Sequence, residues 1–143
     1  MKIKPSNLVV FTFVVLLNCC KSANFDPTTL VQTGLDSIRV SKFGFPDTKE
    51  LILVKDDYSA HLKNLHYGKA KLTLKAVPKQ LMKYYYTPGD DTTKIYFITR
   101  YKKITRDSLF MSIEINHKLD FRFYFKPQGD TWKMQYYLTG IIN

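Results

Sequence analysis

Residues 108–138 read SLFMSIEINHKLDFRFYFKPQGDTWKMQYYL, and this stretch decides the fold. Apolar and polar side chains alternate along three successive segments, at residues 108–116, 119–126 and 132–138. A period of two is typical of a strand with one buried face, and the polar breaks between the segments are turn signals. The stretch therefore predicts an antiparallel meander with one buried face.

The alternation also assigns side chains to the two faces of the predicted sheet. Tyr124 and Tyr137 fall on outward positions. Two further strands are predicted ahead of the meander, at residues 70–77 and 94–104, and the second has bulky residues on both faces. The inward positions of the meander are apolar, namely Leu109, Met111, Ile113, Ile115, Leu119, Phe121, Phe123, Phe125, Trp132, Met134, Tyr136 and Leu138.

Helical spacing replaces this period of two in the first half of the chain. Asp26 before Pro27 is typical of a helix N-cap followed by proline at the first helical position. Val31, Leu35 and Ile38 then recur on one helical face. The sequence therefore predicts a first helix that begins near residue 27.

A second apolar stripe follows a capping-box-like sequence at residues 47–50, with apolar residues at 51, 54, 58, 62 and 65. It favours a second helix that ends before Gly68. The competing interpretation is a short strand at residues 51–54, a turn at residues 56–57 and then a short helix. Together the elements predict an α+β fold, with N-terminal helices packed on a four- or five-stranded antiparallel meander sheet.

Length and composition limit the class of protein. The chain has 143 residues, with 22 Lys or Arg against 12 Asp or Glu, and its formal net charge is +10. This length fits one domain, and the apolar and charged content excludes wholesale disorder or a collagen-like chain. The two cysteines are adjacent, at residues 19 and 20, so a packed core must stabilise the rest of the chain without disulfides.

The first twenty residues have the organisation of an export signal. Lys2 and Lys4 precede an apolar run at residues 8–17. This run is shorter than the roughly 20 residues that a membrane-spanning helix needs, and it has the length of the apolar region of a signal peptide.

The end of that run, Leu16-Leu17-Asn18-Cys19-Cys20, resembles the lipobox of bacterial lipoproteins. In that family an apolar residue stands three positions before a cysteine, which receives a diacylglycerol and usually a further acyl chain such as palmitate. The resemblance implies that Cys20 is the lipidated residue. Cys19, with Leu16 three positions before it, is the alternative.

The same resemblance implies the organisation and the location of the chain. Residues 1–19 would be the signal peptide, residues 20–27 a lipidated tether and residues 28–143 a single α+β domain. The residues just after Cys20 lack the acidic side chains that resemble a surface-export signal in some bacteria. We therefore expect a protein of the cell envelope, held by its lipid on the outer membrane and facing the periplasm.

The final turn and strand suggest a second resemblance. Gly129-Asp130-Thr131-Trp132-Lys133-Met134, after helices and a long aromatic sheet, looks like the last strand of the NTF2-like (cystatin-like) fold, which recurs in small bacterial lipoproteins. That fold hosts both enzymes and binding modules, so it implies no particular function.

The sequence contains no recognisable catalytic or metal-binding motif. His61, His66 and His117 are isolated and have no zinc-ligand spacing, and no nucleophile motif or phosphate-binding glycine loop occurs. Neighbouring aspartates fall in predicted turns. We therefore expect no catalysis, no metal and no cofactor.

A basic and aromatic surface is the better candidate for function. Arg100 and Lys102 share one strand face, and Tyr84, Tyr85, Arg122, Tyr124 and Tyr137 complete the predicted binding residues. Tyrosine and arginine are favoured at interfaces. Because an exported protein rarely meets nucleic acid, we expect the membrane, through the lipid anchor, and an acidic protein or another envelope component as partners.

The sequence thus favours a lipid-anchored binding module of the cell envelope. Two alternatives stay open. One is a periplasmic immunity or inhibitor protein that caps a toxin or an enzyme. The other is a small-ligand carrier or an enzyme on an NTF2-like cone.

Overall fold

A computed structural model describes residues 23–45, 49–77 and 94–142. Within these ranges the chain forms one helix and eight strands. They are α1 (Pro27–Val40), β1 (Glu50–Val54), β2 (His66–Tyr67), β3 (Ala70–Lys71), β4 (Thr73–Lys75), β5 (Lys94–Thr105), β6 (Ser108–Ile115), β7 (Leu119–Gln128) and β8 (Thr131–Ile141).

The main sheet has six strands in the order β4-β1-β5-β6-β7-β8. The predicted antiparallel pairing of the three segments within residues 108–138 is confirmed, because β6, β7 and β8 pair antiparallel in succession. The strand predicted ahead of them, β5, pairs antiparallel with β6. The mixed α+β class is also confirmed. The prediction of a four- or five-stranded, wholly antiparallel sheet is wrong, since β1 pairs parallel with both β4 and β5.

The second predicted helix is wrong, because residues 50–54 form strand β1. The four residues Leu51 to Val54 are all buried. Consecutive apolar residues that are buried on both faces are typical of a central strand with parallel neighbours. Asp56 then closes a turn by accepting hydrogen bonds from the backbone N–H groups of Tyr58 and Ser59, each at 3.0 Å. The alternative strand and turn are therefore correct, and residues 57–61 form turns where that interpretation expected a helix.

The strand predicted at residues 70–77 is divided at Leu72. The N–H of Leu72 donates to the carbonyl of Leu65 at 2.9 Å, so this residue leaves the sheet ladder. As a result, β3 pairs with β2 in a separate hairpin and β4 pairs with β1 in the main sheet.

Helix α1 packs on one face of the sheet, which we call the inner face. Its buried side is Leu30, Val31, Gly34, Leu35 and Ile38. The helix approaches the sheet closely at Gly34, where a Cβ atom would lie 2.7 Å from the Cε of Met111 and 2.8 Å from the Cδ1 of Ile113. The core between helix and sheet includes the predicted inward residues Leu109, Met111, Ile113, Phe121, Phe123 and Phe125.

The last strand changes face because of a bulge. Tyr124 pairs with Tyr136, whereas the next residue, Phe125, pairs with Met134, so Gln135 is an extra residue in β8. An extra residue reverses the faces of all side chains beyond it. The predicted orientations of Tyr136, Tyr137 and Leu138 are therefore wrong. Tyr136 and Leu138 lie on the face opposite the helix, and Tyr137 lies on the inner face.

The predicted N-cap at Asp26 is confirmed, and it gives a testable pH dependence. The hydroxyl of Thr29 and the N–H groups of Thr28 and Thr29 donate to the carboxylate and lower the pKa of Asp26 below its ordinary value of 3.8. A lowered pKa stabilises the fold above the unfolded-state pKa, and this contribution is lost as the pH falls through the lower, folded-state pKa. We expect Asp26→Ala to lower the free energy of unfolding by about 1 kcal/mol at pH 7, measured by urea denaturation.

Asp26→Asn is the matched control, because asparagine caps helices as well as aspartate does. It should keep most of the stability at pH 7 and lose the part of the acid dependence that Asp26 contributes. An alanine variant as stable as the parent chain would contradict the cap.

Candidate functional site

The face of the sheet opposite the helix, here called the outer face, carries most of the predicted binding residues. Near β1 this face is apolar and buried, through Ile52, Val54, Tyr96 and Ile98. Across the meander it is polar, basic and aromatic. The register between strands places its side chains in two neighbouring rows.

The first row, called the aromatic row, runs Lys102, Phe110, Tyr124 and Tyr136 across β5 to β8. The rings of Phe110 and Tyr124 lie 5.4 Å apart at 64°, and those of Tyr124 and Tyr136 lie 4.7 Å apart at 24°. Such tilted and stacked pairs are favourable ring geometries. Tyr136 is 53% exposed, so the row presents an aromatic surface about 10 Å wide to solvent.

The second row, called the arginine row, runs Arg100, Ser112, Arg122 and Leu138. Arg122 Nε donates to Asp120 Oδ2 at 2.6 Å, and this hydrogen bond together with the charge of Asp120 raises the pKa of Arg122. The guanidinium of Arg100 lies 5.9 Å from the ring centroid of Tyr58. Arg100 and Arg122 thus lie on the two strands that flank Ser112.

Basic side chains predominate on the outer face of β5 to β8. The two acidic side chains there are both engaged, since Asp120 pairs with Arg122 and Glu114 Oε2 lies 3.0 Å from His117 Nδ1. Coulomb attraction favours an anionic partner on such a surface, and the rings add contact area. From residue 100 onward, the basic residues on this face are Arg100, Lys102, Arg122, Lys126 and Lys133.

A shallow cleft runs along the edge of this surface. Its volume is about 450 Å³. Tyr124, Lys126, Gln135 and Tyr136 contribute to its walls. The bulge at Gln135 brings Tyr136 to this cleft, so the same irregularity builds both the aromatic row and the cleft.

The structure brings together four of the predicted binding residues, Arg100, Lys102, Arg122 and Tyr124. Tyr137 is not among them. Its ring lies on the inner face, 5.7 Å from the ring of Phe123 and 6.4 Å from that of Phe121. The reason is the bulge, which gives Tyr136 the outward position predicted for Tyr137. Three other predicted residues lie outside the described ranges, namely Cys20, Tyr84 and Tyr85.

Two aromatic residues of the surface were not predicted from the sequence, Phe110 and Tyr136. A signal for Phe110 existed, because this aromatic residue interrupts the polar positions 108, 112 and 114 of its strand. No comparable signal existed for Tyr136, since the sequence of β8 alternates without a visible break. The position of the bulge is visible only in the pairing of β8 with β7.

One histidine belongs to a cluster that joins a loop to β5. The hydroxyl of Tyr101 donates to the carbonyl of Tyr58 at 3.0 Å and lies 2.8 Å from His61 Nε2. Burial, and then the charges of Asp56 and Tyr58, raise the pKa of Tyr101. The cluster holds the loop after β1 against the sheet, beside Arg100.

Two negative findings concern only residues 23–45, 49–77 and 94–142. No group of three His, Cys, Asp or Glu side chains in these ranges is placed to hold a metal ion. None of the helical structure in the same part of the chain is long and apolar enough to cross a membrane.

We compared the chain with models of protein families, with curated proteins and with solved structures. No family model matches it, no curated protein matches it and no solved structure matches it.

Proposed function

We propose that this protein is a lipid-anchored binding module of the cell envelope, which binds an acidic partner through the outer face of β5 to β8 and catalyses no reaction. The observation that carries the proposal is the juxtaposition of the arginine row and the aromatic row. Together they place three basic residues, Arg100, Lys102 and Arg122, beside three rings in contact.

The chemistry of this face fits carboxylate groups on a protein or on an envelope polymer. Arginine can bind a carboxylate through two parallel N–H donors. Among the described residues Arg100 makes no ion pair, whereas Arg122 Nε is engaged by Asp120. The aromatic row is rigid and partly exposed, so it can exclude water from contacts that the basic residues orient. A partner that is both acidic and partly apolar would satisfy both rows.

Anchoring is the second part of the proposal. The signal-like residues 1–19 and the lipobox-like residues 16–20 support it. The described chain begins at Ala23, three residues after Cys20. A lipid on Cys20 would therefore hold the domain directly at a membrane surface.

The NTF2-like resemblance also stays a proposal. A helix ahead of a four-stranded meander and the turn at Gly129 are the features that support it. An immunity or inhibitor role is the special case in which the acidic partner is a toxin or an enzyme, and identifying the partner would distinguish it.

Photo-crosslinking from the aromatic row tests the proposed surface. A photo-reactive phenylalanine analogue at position 136 of the full chain should capture a specific acidic partner in intact cells, detected by gel shift and identified by mass spectrometry. Arg100→Glu combined with Lys102→Glu should lower the yield at least about tenfold, because like charges facing each other cost several kcal/mol.

Lys42→Glu combined with Lys118→Glu is the matched control. It changes the net charge equally but lies away from the outer face, in the turns after α1 and after β6. The control should retain the crosslink. Equal losses in both double variants, or capture that is insensitive to both, would contradict a specific role for this face.

A further inference from the structure

The segment that precedes α1 is fixed at one end of the sheet. The carbonyl of Ala23 accepts a hydrogen bond from Trp132 Nε1 at 3.3 Å. The N–H of Asn24 donates to the carbonyl of Asp130 at 2.7 Å. The chain therefore enters the domain beside the turn between β7 and β8.

Two turns meet at this end, because consecutive strands of the meander run in opposite directions. One joins β5 to β6 and the other joins β7 to β8. We call residues 102–107 and 126–133 the hairpin end. Ile104 within it is 54% exposed. Its charged residues are all exposed, and they are Lys102, Lys103, Arg106, Lys126 and Lys133 against Asp107 and Asp130.

The length of chain outside the described residues decides which end of the domain faces the membrane. Three residue steps separate Cys20 from Ala23, and they can span at most about 11 Å. The opposite end, at the turn of residues 116–118, lies about 27 Å away, which is the length of the eight-residue strand β6. Of the two ends of the sheet, a lipid on Cys20 can therefore bring the hairpin end, and not the opposite end, into contact with the bilayer surface.

We propose that the hairpin end binds the anionic headgroups of the membrane that holds the lipid. This inference rests on the proposed anchor at Cys20. The excess of exposed basic residues supplies the attraction to anionic lipid, and Ile104 can enter the interface between headgroups and acyl chains. The strands then lie roughly perpendicular to the membrane plane. The outer face is turned toward solvent beside the domain, where a partner in the periplasm can bind it.

Chemical modification of lysines on the purified lipoprotein tests this orientation. The full, processed protein is reconstituted in vesicles of phosphatidylglycerol and phosphatidylcholine, or of phosphatidylcholine alone, and acetylated for short times before mass spectrometry. We expect Lys103 and Lys126 to react several-fold more slowly in the anionic vesicles. Lys42 and Lys118, away from the hairpin end, should react at equal rates in both.

A pair of variants shows whether charge causes the protection. Arg106→Gln combined with Lys126→Gln should lower the ratio of docked to undocked domain about thirtyfold and so abolish the slow reaction of Lys103. Lys42→Gln combined with Lys118→Gln removes the same charge and should leave that reaction slow.

The outcomes distinguish the proposed lipid anchor at Cys20 from the proposed binding of the hairpin end to anionic headgroups. A purified chain that carries no lipid would overturn both. A lipidated chain would overturn only this inference if Lys103 and Lys126 reacted equally fast in both vesicle types. Protection of these lysines that does not depend on lipid charge would also overturn the inference, because that result would indicate contact with protein. Preferential protection of Lys118 would overturn it as well.

Discussion

Phe123→Ala should lower the free energy of unfolding by about 3–5 kcal/mol, which for a domain of this size is a large part of its total stability. The side chain of Phe123 is fully buried in the middle of β7. It lies under helix α1 at Gly34 and is flanked by the rings of Phe121 and Tyr137. Truncation leaves a cavity that these neighbours can only partly fill. Urea denaturation followed by circular dichroism measures the change.

Phe110→Ala is the matched control, because it makes the same substitution in the neighbouring strand β6 but on the opposite face of the sheet. Phe110 is only partly buried and contacts Tyr124 on the outer face. We expect about 1 kcal/mol of lost stability there, together with a loss of partner capture in the crosslinking experiment. If Phe110→Ala destabilised the fold as much as Phe123→Ala, the assignment of one face to the core and the other to binding would be contradicted.

Cys20→Ser should abolish incorporation of labelled palmitate into the protein and prevent cleavage before residue 20. The reason is that only a thiol at this position can carry the diacylglycerol that the lipobox resemblance implies. Each acyl methylene buried in a bilayer contributes about 0.8 kcal/mol, so loss of two or more chains removes the proposed anchor. Label in the immunoprecipitated protein and the mass of its N-terminal peptide measure the effect.

Cys19→Ser is the control for this experiment, since it changes the adjacent thiol and leaves Cys20 in place. We expect it to keep both the label and the cleavage. The reverse pattern would move the lipid to Cys19. A parent protein that still begins at Met1 and carries no label would contradict the anchor and, with it, the membrane orientation of the hairpin end.

The arginine row includes one contact that lowers the stability of the fold. Asp120 is buried beside Arg122, and its Oδ1 atom has no hydrogen-bond partner in the described part of the chain. A buried acceptor without a partner is destabilising. The same carboxylate holds the guanidinium of the exposed Arg122 in place on the proposed binding surface.

Much of the meander could be predicted from local pattern alone. In β6 and β7, every second residue from Leu109 to Ile115 and from Leu119 to Phe125 is apolar, and such a period of two is typical of a strand with one buried face. The turns between these strands could also be predicted from local sequence. Asn116 and His117 adopt positive φ angles of 49° and 50°, and Gly129 one of 64°, at the polar breaks that indicated turns.

The region around β1 could not be predicted in this way. The spacing of Leu51, Val54, Tyr58, Leu62 and Leu65 is that of a helix, and four of these side chains are indeed buried. They are buried for different reasons, because two belong to a strand between parallel neighbours and the others to the loop after it. Only contacts with β4 and β5, which are distant in sequence, decide between the two structures.

By itself the sequence determined the existence of the four meander strands, the first helix with its aspartate cap, and the basic character of the outer face. These features depend on neighbouring residues, whose periodicity and chemistry are local. Only the tertiary structure decided the parallel pairing of β1, the bulge at Gln135 and, with it, which of Tyr136 and Tyr137 joins the binding surface. Those depend on how one strand aligns with another, and a single extra residue in that alignment exchanges the two faces without leaving a mark on the periodicity of either strand.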